Sequence, residues 1–127
     1  MIELKVQILT FASEYAPNEV LVRVVVAASN PKDWKHPMPS YFNVKVNQGD
    51  DCAGYVEAVG AKVKHFKKGD KVAGFHEMDT PRGTYAQFAV VPEHTLWHLP
   101  ENASFEEAAT VPLAGKMIPE HLLEYSN

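Results

Sequence analysis

The run from Glu19 to Ala27 constrains the fold more than any other part of the chain. Apolar residues alternate along it with a period of two, which is typical of a β-strand that lays one face on a core. That face carries Val20, Val22, Val24 and Val26. Leu21 and Val25 fill much of the opposite face, so we expect this strand to be buried on both sides.

Further short apolar runs follow, separated by glycine and proline, and this punctuation is typical of an all-β domain. We predict strands at about Gly54–Val59, Val72–Phe75, Thr84–Val91 and Thr95–His98. Together with the first run they make about five or six short strands, which favours a small barrel or a sandwich. The chain is therefore predicted to be mainly β.

The segment Asn30–Pro37 cannot continue the first strand, because Pro31 and Pro37 have no backbone N–H to donate. We predict a turn there that contains one helical turn.

Near the end of the chain the pattern becomes helical. Ser104 and Glu107 have the spacing of a capping box, which predicts that a helix begins at Ser104. Pro112 is expected to end or kink that helix. A last short helix is predicted over Glu120–Tyr125.

The composition excludes several classes of protein. Val24–Ala28 is the longest uninterrupted apolar run, too short for a membrane span or a signal-peptide core. The net charge of −4 argues against a nucleic-acid partner. Cys52 is the only cysteine, so an internal disulfide and a multi-cysteine zinc site are impossible. We expect a cytoplasmic protein with neither a membrane nor a nucleic acid as partner.

The titratable residues form no strong catalytic or metal motif by themselves. The chain has six histidines, and their spacing favours surface positions over metal ligands. Asp50 and Asp51 are neighbours, and neighbouring side chains of extended chain point to opposite faces, so we expect no shared ion. We interpret Cys52 as a small core residue. No G-x-S-x-G and no G-x-G-x-x-G occurs.

Five blocks of sequence stand in an order and at a spacing that carry a family resemblance. They are Ala16–Val24, Gly49–Gly60, Lys68–Val72, Gly83–Phe88 and Leu99–Ala109. Together they resemble the N-terminal GroES-like domain of the medium-chain dehydrogenase/reductase family. The resemblance implies a GroES-like, partly open β-barrel over residues 1–111. Residues 112–127 are then a short helical tail, at the place where a nucleotide-binding Rossmann domain would normally begin.

The resemblance also narrows the class of enzyme. Zinc-dependent members have a cysteine in the loop after the long strand and a His-Glu pair in the glycine-rich segment, whereas this chain has Ala28–Pro31 and Asp50–Asp51 there. We therefore expect no metal. The loop is similar to that of zinc-free, NADPH-dependent fungal reductases, above all the trans-acting enoyl reductases that serve polyketide synthases. That similarity implies that the loop holds the nicotinamide half of NADPH, through Asn30, Pro31, Lys32, Asp33 and Trp34.

The first functional hypothesis is the substrate-side domain of an enoyl-reductase-type oxidoreductase that acts on a polyketide-like small molecule. Its candidate proton donors are Lys35, Tyr41 and Tyr85. Most of the binding energy of a dinucleotide comes from contacts remote from the reacting carbon. Without a nucleotide-binding lobe, the chain is expected to transfer hydride poorly or not at all.

Trp34 has a structural alternative to the cofactor role, in which its side chain fills the interior of the barrel.

Two other hypotheses stay open. The domain could be a cofactor-free acid–base enzyme, an isomerase, cyclase or lyase, with Asp33, His36, His76 or Glu77 as its catalytic groups. It could instead be a non-catalytic module. In each case open barrel edges favour a homodimer.

Overall fold

The computed structural model describes residues 15–40 and 47–116, and its main feature is one antiparallel sheet of five strands. The strands are β1 (Glu19–Ala27), β2 (Asp51–Val59), β3 (Lys71–Phe75), β4 (Phe88–Pro92) and β5 (Leu96–His98), in the spatial order β4-β1-β2-β3-β5. The described helices are α1 (Pro31–Lys35), α2 (Phe105–Ala109), α3 (Pro112–Lys116) and a 3₁₀ turn at Glu93–Thr95. The prediction of a mainly β domain is confirmed.

Strand β1 pairs with β2 on one side and with β4 on the other. Its bounds are those of the predicted strand. Val20 and Val22 are fully buried, as expected for the inner face. Val25 is 45% exposed and Arg23 is also exposed, so the prediction of burial on both faces is wrong. The second face is exposed around Arg23 and Val25, where the Arg23 guanidinium keeps access to water.

The hydrophobic core has two parts, one on each face of the sheet. The larger cluster consists of Val20, Val22, Cys52, Val56, Phe66, Val72, Ala89, Val91 and Leu96. The smaller cluster contains Ala53, Ala73, Ala108 and Ala109. Because successive strand residues point to opposite faces, the side chains of Ala53 and Ala73 lie on the face of the sheet opposite to those of Cys52 and Val72. Their small side chains let α2 pack closely on the sheet. The core position predicted for Cys52 is confirmed.

The predicted strand over Thr84–Val91 is wrong in its first half, since β4 begins only at Phe88. The backbone N–H of Thr84 donates to the Gly49 carbonyl at 2.8 Å, and that of Tyr85 to the Gln48 carbonyl at 3.2 Å. These bonds hold the segment against the residues that precede β2. Apolar alternation alone could not reveal that choice of partner.

Other strand boundaries differ from their predictions by one to three residues. β2 begins at Asp51 instead of Gly54, because Asp51 pairs with Phe75 at the end of β3. Thr95 belongs to the 3₁₀ turn, so β5 begins one residue later than expected.

The predicted helix start at Ser104 is confirmed, whereas α3 is a helix that the sequence pattern does not predict. Ser104 Oγ accepts a hydrogen bond from Glu107 N at 3.1 Å and caps α2. Pro112 begins α3, a position that requires no N–H donor. The predicted helix Glu120–Tyr125 lies outside the described residues. Within residues 15–40 and 47–116, no helix has the length and apolar character needed to cross a membrane.

One end of the sheet brings three loops together. Ala27 at the end of β1 pairs with Cys52, and Asp51 pairs with Phe75 at the end of β3. His76 N continues this ladder by donating to the Asp50 carbonyl at 2.8 Å. The loop after β1, the residues before β2 and the loop after β3 therefore meet at this end.

The close approach of β1 and β2 depends on Gly54. A Cβ there would collide with the backbone carbonyl oxygen of Arg23 on β1. We expect Gly54→Ala to lower the free energy of unfolding by about 1–3 kcal/mol in urea denaturation. The control, Ala61→Ser in an exposed turn, should change it by less than about 0.5 kcal/mol. Equal losses in the two variants would contradict this account of strand packing.

Candidate functional site

Helix α1 supplies the first polar groups of the site. Asn30 is extended, with φ −122° and ψ 156°, and Pro31 takes the first helical position. Asp33 Oδ2 accepts a hydrogen bond from Asn30 N at 2.8 Å and so satisfies a donor at the helix start. The predicted single helical turn is confirmed, over Pro31–Lys35.

An ammonium group lies between two buried carboxyl groups beside α1. Lys32 Nζ is 2.7 Å from Asp33 Oδ1 and 2.9 Å from Asp50 Oδ2, and these side chains are 12%, 6% and 2% exposed. Burial lowers the pKa of Lys32, but the two carboxyl groups outweigh burial and raise it above its usual value. Burial also opposes ionisation of Asp33, yet hydrogen bonds from Lys32, Asn30 N and Tyr85 lower its pKa. Lys32 and Asp33 are therefore both charged at neutral pH.

Asp51 links this cluster to α3. Its Oδ2 accepts from Asn30 Nδ2 at 2.8 Å, and its Oδ1 accepts from Leu113 N at 2.7 Å. Burial raises the pKa of Asp51, and the charges of Asp50 and Asp33 raise it further. Asp50 and Asp51 thus bind different partners, as expected for neighbouring residues that point to opposite faces.

Tyr85 brings a hydroxyl group to the edge of the cluster. Its phenolic oxygen is 2.8 Å from Asp33 Oδ2 and 2.8 Å from Ser29 Oγ. Because a carboxylate only accepts, Tyr85 donates to Asp33 and receives the hydroxyl proton of Ser29. Burial of the hydroxyl and the Asp33 carboxylate raise the pKa of Tyr85. The residue as a whole is 42% exposed, while one edge of its ring lies against Gly49.

Trp34 lies on the outer side of α1. It is 55% exposed, and Lys35 Nζ is 5.3 Å from the centroid of its indole ring. The alternative that Trp34 plugs the barrel is therefore wrong. A flat ring beside an ammonium group is available to a ligand at the surface.

His76 is 2% exposed, so the expectation that the histidines are surface residues is wrong for this one. Its Nε2 donates to the Pro81 carbonyl at 2.9 Å and lies 3.0 Å from Thr80 Oγ1. Its Nδ1 is 3.4 Å from Asp50 Oδ1. His76 follows the last residue of β3. Its backbone N–H continues the pairing of β3 with the residues before β2, and its ring is buried at this end of the sheet.

Two other predicted catalytic residues lie apart from the cluster or outside the described chain. His36 Nδ1 is 2.8 Å from Asp79 Oδ1, which links the end of α1 to the loop after β3. Tyr41 lies outside the described residues.

Comparisons with known proteins agree with this architecture. Residues 16–101 match the family described as the alcohol dehydrogenase GroES-like domain. The chain belongs to that family. The resemblance predicted from the five sequence blocks is thus confirmed, and so is the fold it implied, a GroES-like, partly open barrel.

Relatives of this GroES-like domain include reductases of two kinds. Trans-enoyl reductase fsr4 of Gibberella fujikuroi is 46% identical over 98 residues, which are 77% of this chain and 29% of that protein. The quinone oxidoreductase from Coxiella burnetii superposes with a TM-score of 0.74 at 33% identity, over 84% of this chain and 36% of that one. The Escherichia coli quinone oxidoreductase complexed with NADPH gives 0.69 at 26% identity, over 94% and 36%. The chain spans about a third of the length of such relatives.

The structure brings together three of the predicted cofactor residues, Asn30, Lys32 and Asp33, with partners that sequence reasoning missed. The sequence suggests only a metal-ligand role for Asp50 and Asp51, and neighbouring positions on an extended chain argue against that role. The available signal was their place directly before a buried strand, where carboxyl groups need a cation or donors. Among residues 15–40 and 47–116, no three histidine, cysteine, aspartate or glutamate side chains gather as a metal site would require.

The pairing of Asp33 with Lys32 predicts a pH-dependent stability. We expect Asp33→Asn to lower the free energy of unfolding by about 1–3 kcal/mol at about pH 7 in urea denaturation. Because the folded-state pKa of Asp33 lies below 3.8, its stabilising charge is lost as the pH falls through that lower value. The difference between the variant and the wild type should therefore shrink at about pH 2. A difference that stays constant over this range would contradict the assignment.

Burial raises the pKa of the Cys52 thiol to about 12, and the side chain is fully buried. We expect a thiol reagent at neutral pH to label the folded chain at least about 10³-fold more slowly than the urea-unfolded chain. Cys52 is the only cysteine, so the signal is unambiguous. Fast labelling without unfolding would show that this core opens locally.

Proposed function

We propose that this domain is the substrate-side part of a zinc-independent, NADPH-dependent oxidoreductase of the enoyl reductase type that acts on a polyketide-like enoyl thioester. The observation that carries the proposal is the Lys32 ammonium held between Asp33 and Asp50. These residues lie where the sequence departs from the zinc-dependent members of the family. The chain's own ammonium compensates the carboxyl groups there, so the cluster needs no metal ion to hold them in place.

The outer side of α1 fits the nicotinamide half of the cofactor. Trp34 offers an exposed aromatic face, and Lys35 places an ammonium beside it. A planar ring with a nearby phosphate group suits that pair. When bound, the nicotinamide supplies a hydride. Trp34 orients the nicotinamide ring, and the Lys35 ammonium binds the nearby phosphate group of the cofactor.

The relatives support the substrate class. The protein that is 46% identical is a trans-enoyl reductase, whereas the Coxiella burnetii quinone oxidoreductase is 33% identical. The higher identity favours an activated carbon–carbon double bond in a thioester as the group that is reduced. The Escherichia coli relative, complexed with NADPH, supports the choice of cofactor.

In this proposal, residues 1–127 alone do not transfer hydride. The sequence has no G-x-G-x-x-G turn to bind a pyrophosphate. The edge strands of the described sheet are β4 and β5, and dimerisation through such edges stays a prediction. The cytoplasmic location stays a prediction as well.

The test is a titration of the 15N-labelled chain with NADPH. The chain has two tryptophans, so the spectrum contains two indole N–H signals. We expect the Trp34 signal to shift with a Kd of about 1 mM, because the contacts for the remote half of the cofactor are missing. The Trp97 signal, from β5, serves as the internal control and should stay in place.

An enoyl thioester added with NADPH should show no turnover by the chain alone. A Trp34 signal that does not shift would contradict the proposed cofactor site. Turnover would contradict the proposal that residues 1–127 need a nucleotide-binding domain to transfer hydride.

A further inference from the structure

We propose that Tyr85 is the proton donor of the reduction, and that Ser29 and Asp33 position its hydroxyl group. The inference deepens the proposed function and rests on it for the hydride. It assigns Tyr85 a catalytic role and Ser29 and Asp33 positioning roles.

The geometry separates Tyr85 from an ordinary surface tyrosine. Its residue is 42% exposed, while the hydroxyl end is held by Asp33 and Ser29 at 2.8 Å each. Asp33 is itself fixed by Lys32 and by the start of α1. A hydroxyl with two positioned partners and an accessible ring can meet a substrate at the surface in a defined orientation.

The charges and the exposure of the groups in the cluster favour Tyr85 as the proton donor. Asp33 keeps its charge because Lys32 stays protonated, so Asp33 is not the acid. Lys32 has protons, but its side chain is only 12% exposed and it contacts two carboxyl groups. Tyr85 keeps its proton because burial and the Asp33 carboxylate raise its pKa. It is the half-exposed, neutral acid of the cluster.

The proposed reduction consists of a hydride transfer followed by a proton transfer. A dihydronicotinamide delivers a hydride to the β carbon of the enoyl thioester, which leaves an electron pair on the α carbon as an enolate. The O–H bond of Tyr85 breaks, and its proton forms the new C–H bond with the enolate pair. The phenolate keeps the electron pair of the O–H bond and accepts a hydrogen bond from Ser29. Water returns the proton, since the residue is partly exposed to solvent.

The proton step can be measured without the cofactor. By microscopic reversibility, the phenolate form of a tyrosine that protonates the α carbon removes a proton from the α carbon of the saturated product, so the exchange is followed at alkaline pD, where more of the phenolate is present. The full chain is therefore incubated in D2O with a saturated acyl thioester of N-acetylcysteamine. Deuterium incorporation at the α carbon is followed by mass spectrometry and compared with buffer at the same pD.

We expect the wild type to accelerate exchange over buffer, and Tyr85→Phe to lose that acceleration by about 10²-fold or down to the buffer rate. The matched control is Tyr55→Phe, since the Tyr55 ring packs edge-on against Phe105 at a centroid distance of 5.2 Å, away from the cluster. It should exchange like the wild type. Circular dichroism confirms that each variant is folded.

Three results would overturn the inference. They are no acceleration by the wild type, equal acceleration by a folded Tyr85→Phe, and a loss that follows Lys35→Met instead. None of these depends on NADPH, so they are distinct from a failed titration of Trp34. Exchange that depends on Tyr85 in a chain that does not bind NADPH would contradict the proposed reductase and leave a cofactor-free acid–base activity.

Discussion

The ion pairing of Lys32 with Asp33 and Asp50 is the interaction on which the rest of the site depends. Removing a carboxylate from water costs several kcal/mol unless a cation and hydrogen-bond donors compensate it. Lys32 compensates two carboxyl groups at 2.7 and 2.9 Å, and the third, Asp51, is served by Asn30 and a backbone N–H of α3. Because these partners come from α1, α3 and the start of β2, balancing the charge also fixes how the three elements meet.

The pairing of the strands determines where these groups lie. β1 and β3 both pair with β2, and their ends bring the loop of α1 and the residue after β3 to the Asp50–Asp51 pair. Tyr85 arrives from the segment before β4, which hydrogen-bonds to the residues ahead of β2 instead of extending the strand. The deviation from the predicted strand is therefore the feature that places a hydroxyl group beside Asp33.

The site has a closed inner part and an open outer part, and the two have different chemistry. The Lys32 ammonium and the carboxyl groups of Asp33 and Asp50 are buried and held in contact with one another. Trp34 and Tyr85 lie outside them and expose an indole face and a phenol ring. Under the proposed function, this outer part is the surface that meets the substrate and the nicotinamide of the cofactor.

The sequence by itself determined the strand β1, the helical turn after Asn30, the capped start of α2 and the family. Period-two alternation, the missing N–H of proline and the Ser104–Glu107 spacing act through neighbouring residues, and the family blocks are linear patterns. Only the tertiary structure decided that His76 is buried, that Trp34 is exposed, and that Lys32, Asp50 and Tyr85 share one cluster. Those residues are far apart along the chain. Strand register brings them within hydrogen-bonding distance, and register depends on which strands pair.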